Sequence, residues 1–252
     1  MTVRLPLRDR TSAGVLLGEA VAARLRADPS ADPSAGPRAD ASAALRADAR
    51  AAETAAEWAA GAQSPTPVVL GIPRGGVVVA AAVAGVLDAP LDVLVAHKIG
   101  APGNPEFALG AVTADGTTIV EPWARRATGL TDDAIAALAG PEVERARERE
   151  RRIRGGRPRI DLHGRTAILV DDGIATGATV HAAVLAARAL GAAWTIVAAP
   201  IASEEAVGML APAVDALVLL AVPKPFWSVG QWYERFEQVE DEEVRRLLAG
   251  AQ

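Results

Sequence analysis

From Val68 onward the chain alternates short apolar runs with longer stretches of small residues. "VVLGI" predicts a buried strand, and "GGVVVAAAVAGVL" a helix after it. "LDVLVAHK" predicts the next strand. "ALGAVTADGTTIVE" sets Asp115-Gly116 between alternating positions, a hairpin signal because both residues tolerate the backbone of a tight turn. "TDDAIAALAGPEVERARERERRIRG" predicts a helix broken near Gly140-Pro141, where proline removes a donor. Then "TAILV" predicts a strand, "TGATVHAAVLAARALG" a helix, "TIVAAPI" a strand, "SEEAVGMLA" a helix and "DALVLLAV" a strand. Each strand is almost wholly apolar, so each is buried on both faces. Strands of that kind alternating with helices imply an α/β fold, a parallel sheet flanked by helices.

Upstream the pattern is less regular. Residues 11–27 predict a helix capped by Thr11 or Ser12, with Val15, Leu16, Ala20 and Leu25 on a rough apolar face. Residues 28–66 form an Ala/Pro-rich, low-complexity insertion with a tandem ADPS repeat, expected to be flexible and without chemistry. The organisation expected is an N-terminal hood helix (1–27), the insertion (28–66), a core (67–222) and a C-terminal cap segment (223–252).

Composition narrows the classes. The chain has 252 residues, 50% of them hydrophobic, enough for a sizeable core. A net charge of −5 argues against nucleic-acid binding by bulk electrostatics. There is no cysteine, so thiol catalysis, disulfides and thiolate metal sites are excluded. The N-terminus lacks the apolar core of a signal peptide, and the apolar runs are too short to span a membrane. A cytoplasmic protein is expected. The only lysines are Lys98 and Lys224, in a chain that otherwise uses arginine.

Ligands of such sheets sit beyond the carboxyl ends of the strands. Four segments end a predicted strand with unusual residues: Pro73-Arg74-Gly75-Gly76, Lys98 with the loop after it, Asp171-Asp172-Gly173, and Pro223-Lys224-Pro225. All four are expected on one edge. "ILVDDGIATGATVHAAV" is the most informative stretch. Gly173 and Gly177 leave backbone N–H groups uncovered, and Thr176 and Thr179 add hydroxyls at a helix N-terminus. Converging donors and the positive end of the helix dipole make a phosphate cradle. Asp171 and Asp172 cannot also bind phosphate; their natural partners are hydroxyls. A ribose 5-phosphate fits both halves. A bare D-D-G would be only a strand end with a cap, but the whole run exceeds that reading.

"VDDGIATGAT" resembles the phosphoribosyl pyrophosphate (PRPP) motif of type I phosphoribosyltransferases. "GIPRGGVVVAAAVAGVLDAPLDVLVAHKIGAPGNPEFALGAV" and "PKPFWSVGQWYERFEQVEDEEV" resemble a bacterial group of stand-alone members. The resemblance implies that Asp171 and Asp172 hold the ribose 2- and 3-hydroxyls. It implies that Gly173, Ile174, Ala175, Thr176, Gly177, Ala178 and Thr179 surround the 5-phosphate. Pro73, Arg74, Gly75 and Gly76 match the pyrophosphate loop, with a cis peptide expected at Pro73–Arg74. Lys98 matches a basic residue before a mobile lid, "IGAPGNPEFA", whose Gly and Pro content argues against helix or strand. Glu106 in that loop is a weaker candidate for ligand or metal. Mg²⁺ is the implied cofactor, held through PRPP and by Asp171 and Asp172 where they reach it. The implied activity is a pentosyl transfer from PRPP to a small nitrogen acceptor, in the setting of nucleotide salvage. Enzymes for 6-oxopurines carry an acid where this chain has Ala175, which disfavours those acceptors.

The remaining signals are weaker. Trp227, Trp232 and Tyr233 could stack on a planar acceptor, or could form the core of a cap on helix 11–27 together with Phe226 and Phe236. "EVERARERERRIRGGRPRI" reads as a solvated helix face with i,i+4 ion pairs rather than a nucleic-acid site. His97, His163 and His181 show no ligand spacing. Two rivals are a PRPP-binding regulator without transfer and a related phosphoribosyl hydrolase. No nucleic-acid or membrane partner is expected, and a homodimer is among the assemblies left open.

Overall fold

Residues 3–26, 67–102, 104–120 and 122–250 are described by the computed structural model, so the 28–66 insertion lies outside the described residues. In chain order the elements are α1 (Arg10–Arg26), β1 (Val68–Gly71), α2 (Gly75–Leu87), β2 (Leu91–Val93), β3 (Ala96–Ala101), β4 (Asn104–Thr113) and β5 (Thr118–Val120). Then follow α3 (Pro122–Thr128), α4 (Asp132–Arg154), β6 (Thr166–Val170), α5 (Ala178–Ala189), β7 (Trp194–Ile201), α6 (Glu204–Leu210), β8 (Ala216–Ala221) and α7 (Asp241–Gly250).

The expected α/β architecture is present. A five-stranded parallel sheet runs β2-β1-β6-β7-β8. Alternate residues of one strand feed different layers. Val69, Ile168 and Ile196 pack with Leu17, Val83 and Leu248 of α1, α2 and α7. Val68, Leu169 and Val197 pack with Val180, Val184 and Leu210 of α5 and α6. Both faces are dry, which is why the strands read as continuous apolar runs.

Three expectations need correction. "LDVLVAHK" is not one strand: the chain leaves the parallel sheet after Val93 and re-enters as β3 of a separate antiparallel sheet, β3-β4-β5. Periodicity cannot divide an apolar run between two sheets. "IGAPGNPEFA" is mostly strand, with Ala101 paired to Asn104 and register irregularities flanking Gly100. Those irregularities absorb the Gly and Pro residues that argued for a loop. Finally, α4 runs through Gly140-Pro141 without a break. Ile135, Ala139, Val143, Ala146 and Ile153 are buried on both sides of the proline, so one packed face keeps the helix in register. The Asp115-Gly116 hairpin forms as expected, with Gly116 at φ +94° and its N–H donating to the Thr113 carbonyl at 3.0 Å.

The hood joins the two ends of the described chain. Leu7 N–H donates to Trp232 O, and Glu234 N–H to Leu7 O, both at 2.7 Å. Leu7, Ala13, Ile201 and Tyr233 form its core, with Phe226, Val229 and Trp232 against them. Helix α4 is fixed to the opposite edge by Arg154, whose Nη1 lies 2.8 Å from Asp92 Oδ1, both side chains being 8% exposed. Asp92 also accepts from Ile160 N–H at 2.9 Å.

Asp92→Ala leaves the Arg154 guanidinium short of its buried partner and should cost about 3–5 kcal/mol. Urea denaturation should show a lowered midpoint at unchanged slope. A loss within ~0.5 kcal/mol would mean that the pair does not hold α4 in place.

Candidate active site at the sheet's switch point

The winding of the sheet reverses between β1 and β6: β1 leads outward to β2, whereas β6 leads the other way to β7 and β8. The crevice beyond the strand ends at such a point is where ligands of open α/β sheets bind. Residues 73–76 leave β1 there and residues 171–179 leave β6. The two exits are held side by side, with Ile72 N–H donating to Val170 O at 2.9 Å.

Asp171 and Asp172 emerge at the end of a strand whose residues are all buried. Asp171 Oδ1 accepts from the Asp172 N–H at 2.8 Å. Burial of its carboxyl, then the neighbouring Asp172 charge, push the Asp171 pKa well above the ordinary carboxylate value. Asp172 is held differently. Its Oδ2 accepts from Arg10 Nε at 2.7 Å, with both side chains largely enclosed. Arg10 in turn lies 3.8 Å over the Phe236 ring and donates from Nη1 to Glu237 O at 2.7 Å. Tyr233 donates its hydroxyl to the Asp172 main-chain carbonyl at 2.5 Å. Burial, then the Asp172 charge, raise the Tyr233 pKa, so this phenol remains a donor.

The glycines of the 73–76 loop have a structural duty here. A Cβ on Gly76 would stand 2.7 Å from Val170 O and 2.9 Å from Asp171 Cα. A Cβ on Gly75 would collide with the Asp172 carboxylate and lie 2.8 Å from Arg10 Nε. The missing side chains bring the loop onto the acid pair itself. The Pro73–Arg74 peptide is cis, as expected, and Leu5–Pro6 and Lys224–Pro225 are cis as well.

The segment after the acids divides in two. Gly173 and Ile174 are buried. A Cβ on Gly173 would meet Val229 at 2.5 Å, and Ile174 N–H donates to Ile201 O at 3.0 Å. The Ile174 N–H is thereby engaged within the protein. Ala175, Thr176 and Thr179 are exposed around the start of α5. Gly177 sits at the N-cap with φ +83°, a left-handed conformation that suits glycine, and no side chain caps the helix. Gly177 and Ala178 are themselves buried, so their contribution is backbone rather than surface. Ala175 O accepts from the Ser203 hydroxyl.

A cavity of about 520 Å³ opens beside these elements, its lining including Pro73, His97, Lys98, Arg149 and Thr179. Lys98 reaches it from β3 of the antiparallel sheet, not from the end of a parallel strand as expected. Glu142 is also in the wall, its Oε2 3.3 Å from His97 Nδ1. Arg74 lies 3.8 Å from Glu240 through Nη1. Lys224 follows β8 and pairs with Glu204. Of the three aromatic candidates, Tyr233 is 6% exposed, and Trp232 is half-buried against the hood core. Trp227, 82% exposed, keeps its ring open. Glu106 falls on β4.

Sequence reasoning missed Arg10 and Arg149. Arg10 is 162 positions from the carboxylate it binds, and no local pattern marks it. Arg149 did carry a signal, in the spacing of charges along α4.

Comparison with known proteins gives the family of the chain. A model of the phosphoribosyl transferase domain matches residues 39–210. Two Mycobacterium tuberculosis proteins, from strains CDC 1551 / Oshkosh and ATCC 25618 / H37Rv, each carry the name "Putative phosphoribosyl transferase" and are 47% identical over 181 residues. The alignment takes in 72% of this chain and 41% of each relative, so the chain spans about two fifths of their length. The crystal structure of TT1426 from Thermus thermophilus matches with a TM-score of 0.78 and 37% identity, over 97% of this chain and 98% of that one. With the domain model matching most of its length and the acid pair at the sheet's switch point, the chain belongs to the phosphoribosyl transferase domain family.

Proposed function

We propose that this chain transfers the 5-phosphoribosyl group of PRPP to a nitrogen acceptor and releases pyrophosphate. One observation carries the reading: two adjacent carboxylates run directly into an uncapped, side-chain-poor helix start, with a glycine loop pressed against them. Asp171 and Asp172 take the ribose 2- and 3-hydroxyls. Hydroxyl donors favour the charged carboxylate, which the protein alone disfavours at Asp171. A carboxylate offers about four acceptor directions, so the Arg10 contact leaves Asp172 able to accept from a sugar. The backbone of residues 175–179 and the Thr176 and Thr179 hydroxyls receive the 5-phosphate.

In the reaction the bond from C1 to the pyrophosphate oxygen breaks, and the electron pair leaves with pyrophosphate. The nitrogen lone pair forms the new bond to C1 and its proton is lost. Arg74 and Lys98 stabilise the departing charge, and the rest of the catalysis is positioning. Asp171 and Asp172 are the residues that would hold Mg²⁺ together with water and substrate oxygens, an oxygen donor set that suits this ion. Held there, the ion would supply charge neutralisation for the leaving group. A nucleobase is the acceptor class proposed, with the open ring of Trp227 as its stacking partner. Exposed Ala175 supplies no carboxylate, which weighs against 6-oxopurines. No helix among the described residues is long and apolar enough to cross a membrane, and PRPP-dependent salvage suits the cytoplasm.

Titration calorimetry with PRPP and Mg²⁺ should give a binding heat that Asp171→Asn/Asp172→Asn abolishes. Heat that survives the double substitution would remove the assignment of this site. Pyrophosphate release across a panel of bases then distinguishes a transferase from a PRPP sensor, which binds without release.

The two acids should also differ in their effect on stability. With its pKa raised on folding, Asp171 binds its proton more tightly in the native than in the unfolded chain. Stability therefore falls as pH climbs from the ordinary carboxylate value through the raised one. Asp171→Asn should raise stability at neutral pH, with the gain vanishing in acid. Asp172→Asn, which deprives Arg10 of a carboxylate, should cost about 1–3 kcal/mol. Thermal unfolding across pH reads both, and shifts of the same sign would contradict this account.

A further inference from the structure

Asp171 and Asp172 each spend one oxygen on a protein donor. Asp171 Oδ1 accepts from the Asp172 N–H at 2.8 Å, and Asp172 Oδ2 accepts from Arg10 Nε at 2.7 Å. The second contact spans the chain. Arg10 opens α1, 162 positions from the acid, and its side chain is 11% exposed against 14% for Asp172. The guanidinium is itself fixed from several sides. Its Nη1 donates to Glu237 O at 2.7 Å, and the Phe236 ring lies 3.8 Å beneath it. The Gly75 backbone closes another side, since a Cβ there would stand 2.8 Å from Arg10 Nε. A carboxylate turns readily about its last bond; a donor so enclosed stops it. Tyr233, from the same hood, holds the Asp172 main chain by donating to its carbonyl. Side chain and backbone of this acid are thus both set by residues outside its own segment.

We infer that Arg10 is a positioning residue for sugar recognition: by holding Oδ2 it keeps Oδ1 of Asp172 in one direction, ready for a ribose hydroxyl, and so sets how strongly the site prefers a diol. The inference rests on the transferase reading and deepens it. Without the guanidinium, the two adjacent carboxylates repel and turn apart. With it, an arriving hydroxyl meets an acceptor that is already aimed, and less side-chain freedom is lost on binding. The role needs a fork, one nitrogen on the acid and another on Glu237 O, which a single ammonium reproduces only in part. Arg10 acts through Asp172 and does not itself touch the sugar. The hood thereby takes part in choosing the sugar from behind the acid.

The test titrates the full chain by calorimetry with ribose 5-phosphate, its 2,3-dideoxy counterpart and inorganic phosphate. The wild-type chain should prefer ribose 5-phosphate to the dideoxy compound by about a hundredfold, as hydrogen bonds from two hydroxyls to charged groups imply. Arg10→Gln should lower that preference about tenfold, with the dideoxy compound and inorganic phosphate bound within about twofold of wild type. Arg10→Lys should recover part of the preference. Arg235→Gln, which breaks an ion pair with Asp9 in the same hood, should leave every affinity as it was. An unchanged preference in folded Arg10→Gln overturns the inference and leaves the transferase reading standing. Equal loss of all the probes with a lowered Tm assigns Arg10 a structural role and also overturns it. Should Arg10→Gln fail to fold, Arg10→Lys decides: a reduced preference supports the inference and a wild-type preference overturns it. A wild-type chain that binds the two sugar phosphates alike removes the transferase reading, and the inference with it.

Discussion

Two neighbouring carboxylates at the mouth of a dry sheet repel one another, and much of the surrounding structure answers that repulsion. At low effective dielectric the interaction between such charges is several times stronger than in water. The fold does not remove one of them. Burial raises the Asp171 pKa, and Asp172 receives a guanidinium from the far end of the chain. The fold then brings a glycine loop against both, where any side chain would push the acids apart from their supports. None of this is needed to close the sheet, whose strands are already buried on both faces. Groups kept at a cost to stability are a mark of function.

The hood acquires its meaning from the same pair. Residues 7–10 and 232–237 are tied by main-chain bonds between Leu7, Trp232 and Glu234, and this fixes where Arg10 enters. Phe236 lies under the guanidinium, Glu237 O accepts one of its nitrogens, and Tyr233 reaches the Asp172 carbonyl. Part of the aromatic cluster of the C-terminal segment thus supports one cation, Phe236 under Arg10 and Tyr233 on the Asp172 carbonyl. Those two residues pack the cap. Trp227, directed to solvent, is the exception.

The parallel sheet was legible because burial on both faces writes itself as unbroken apolar runs, and the acid pair because two carboxylates before a small-residue helix start are rare in any other context. What was not legible shares one cause: it depended on contacts between distant segments. Nothing in "LDVLVAHK" marks Val93 as the last residue of one sheet and Ala96 as the first of another. Pro141 looked like a helix end because the local cost was visible, while the packed face from Ile135 to Ile153 that outweighs it was not. Gly75 and Gly76 also lack side chains for a reason invisible in their own segment: a Cβ there would meet Asp171, Asp172 and Val170, about a hundred residues on. Arg10 had no local signature at all.

Charge is distributed around the 73–76 loop with both signs in separate places. Asp171 and Asp172 stand on the β6 side, where the Gly75 and Gly76 backbone closes on them. Lys98 and Arg149 stand in the wall of the neighbouring cavity, with His97 and Glu142 beside them. The exposed Thr176 and Thr179 lie about the uncapped start of α5. Acids suit hydroxyls and repel anions, whereas cations and free helix donors attract anions. A crevice with that layout selects a ligand by where it carries its charge, not only by how much it carries, and the acid pair alone could not impose such an order.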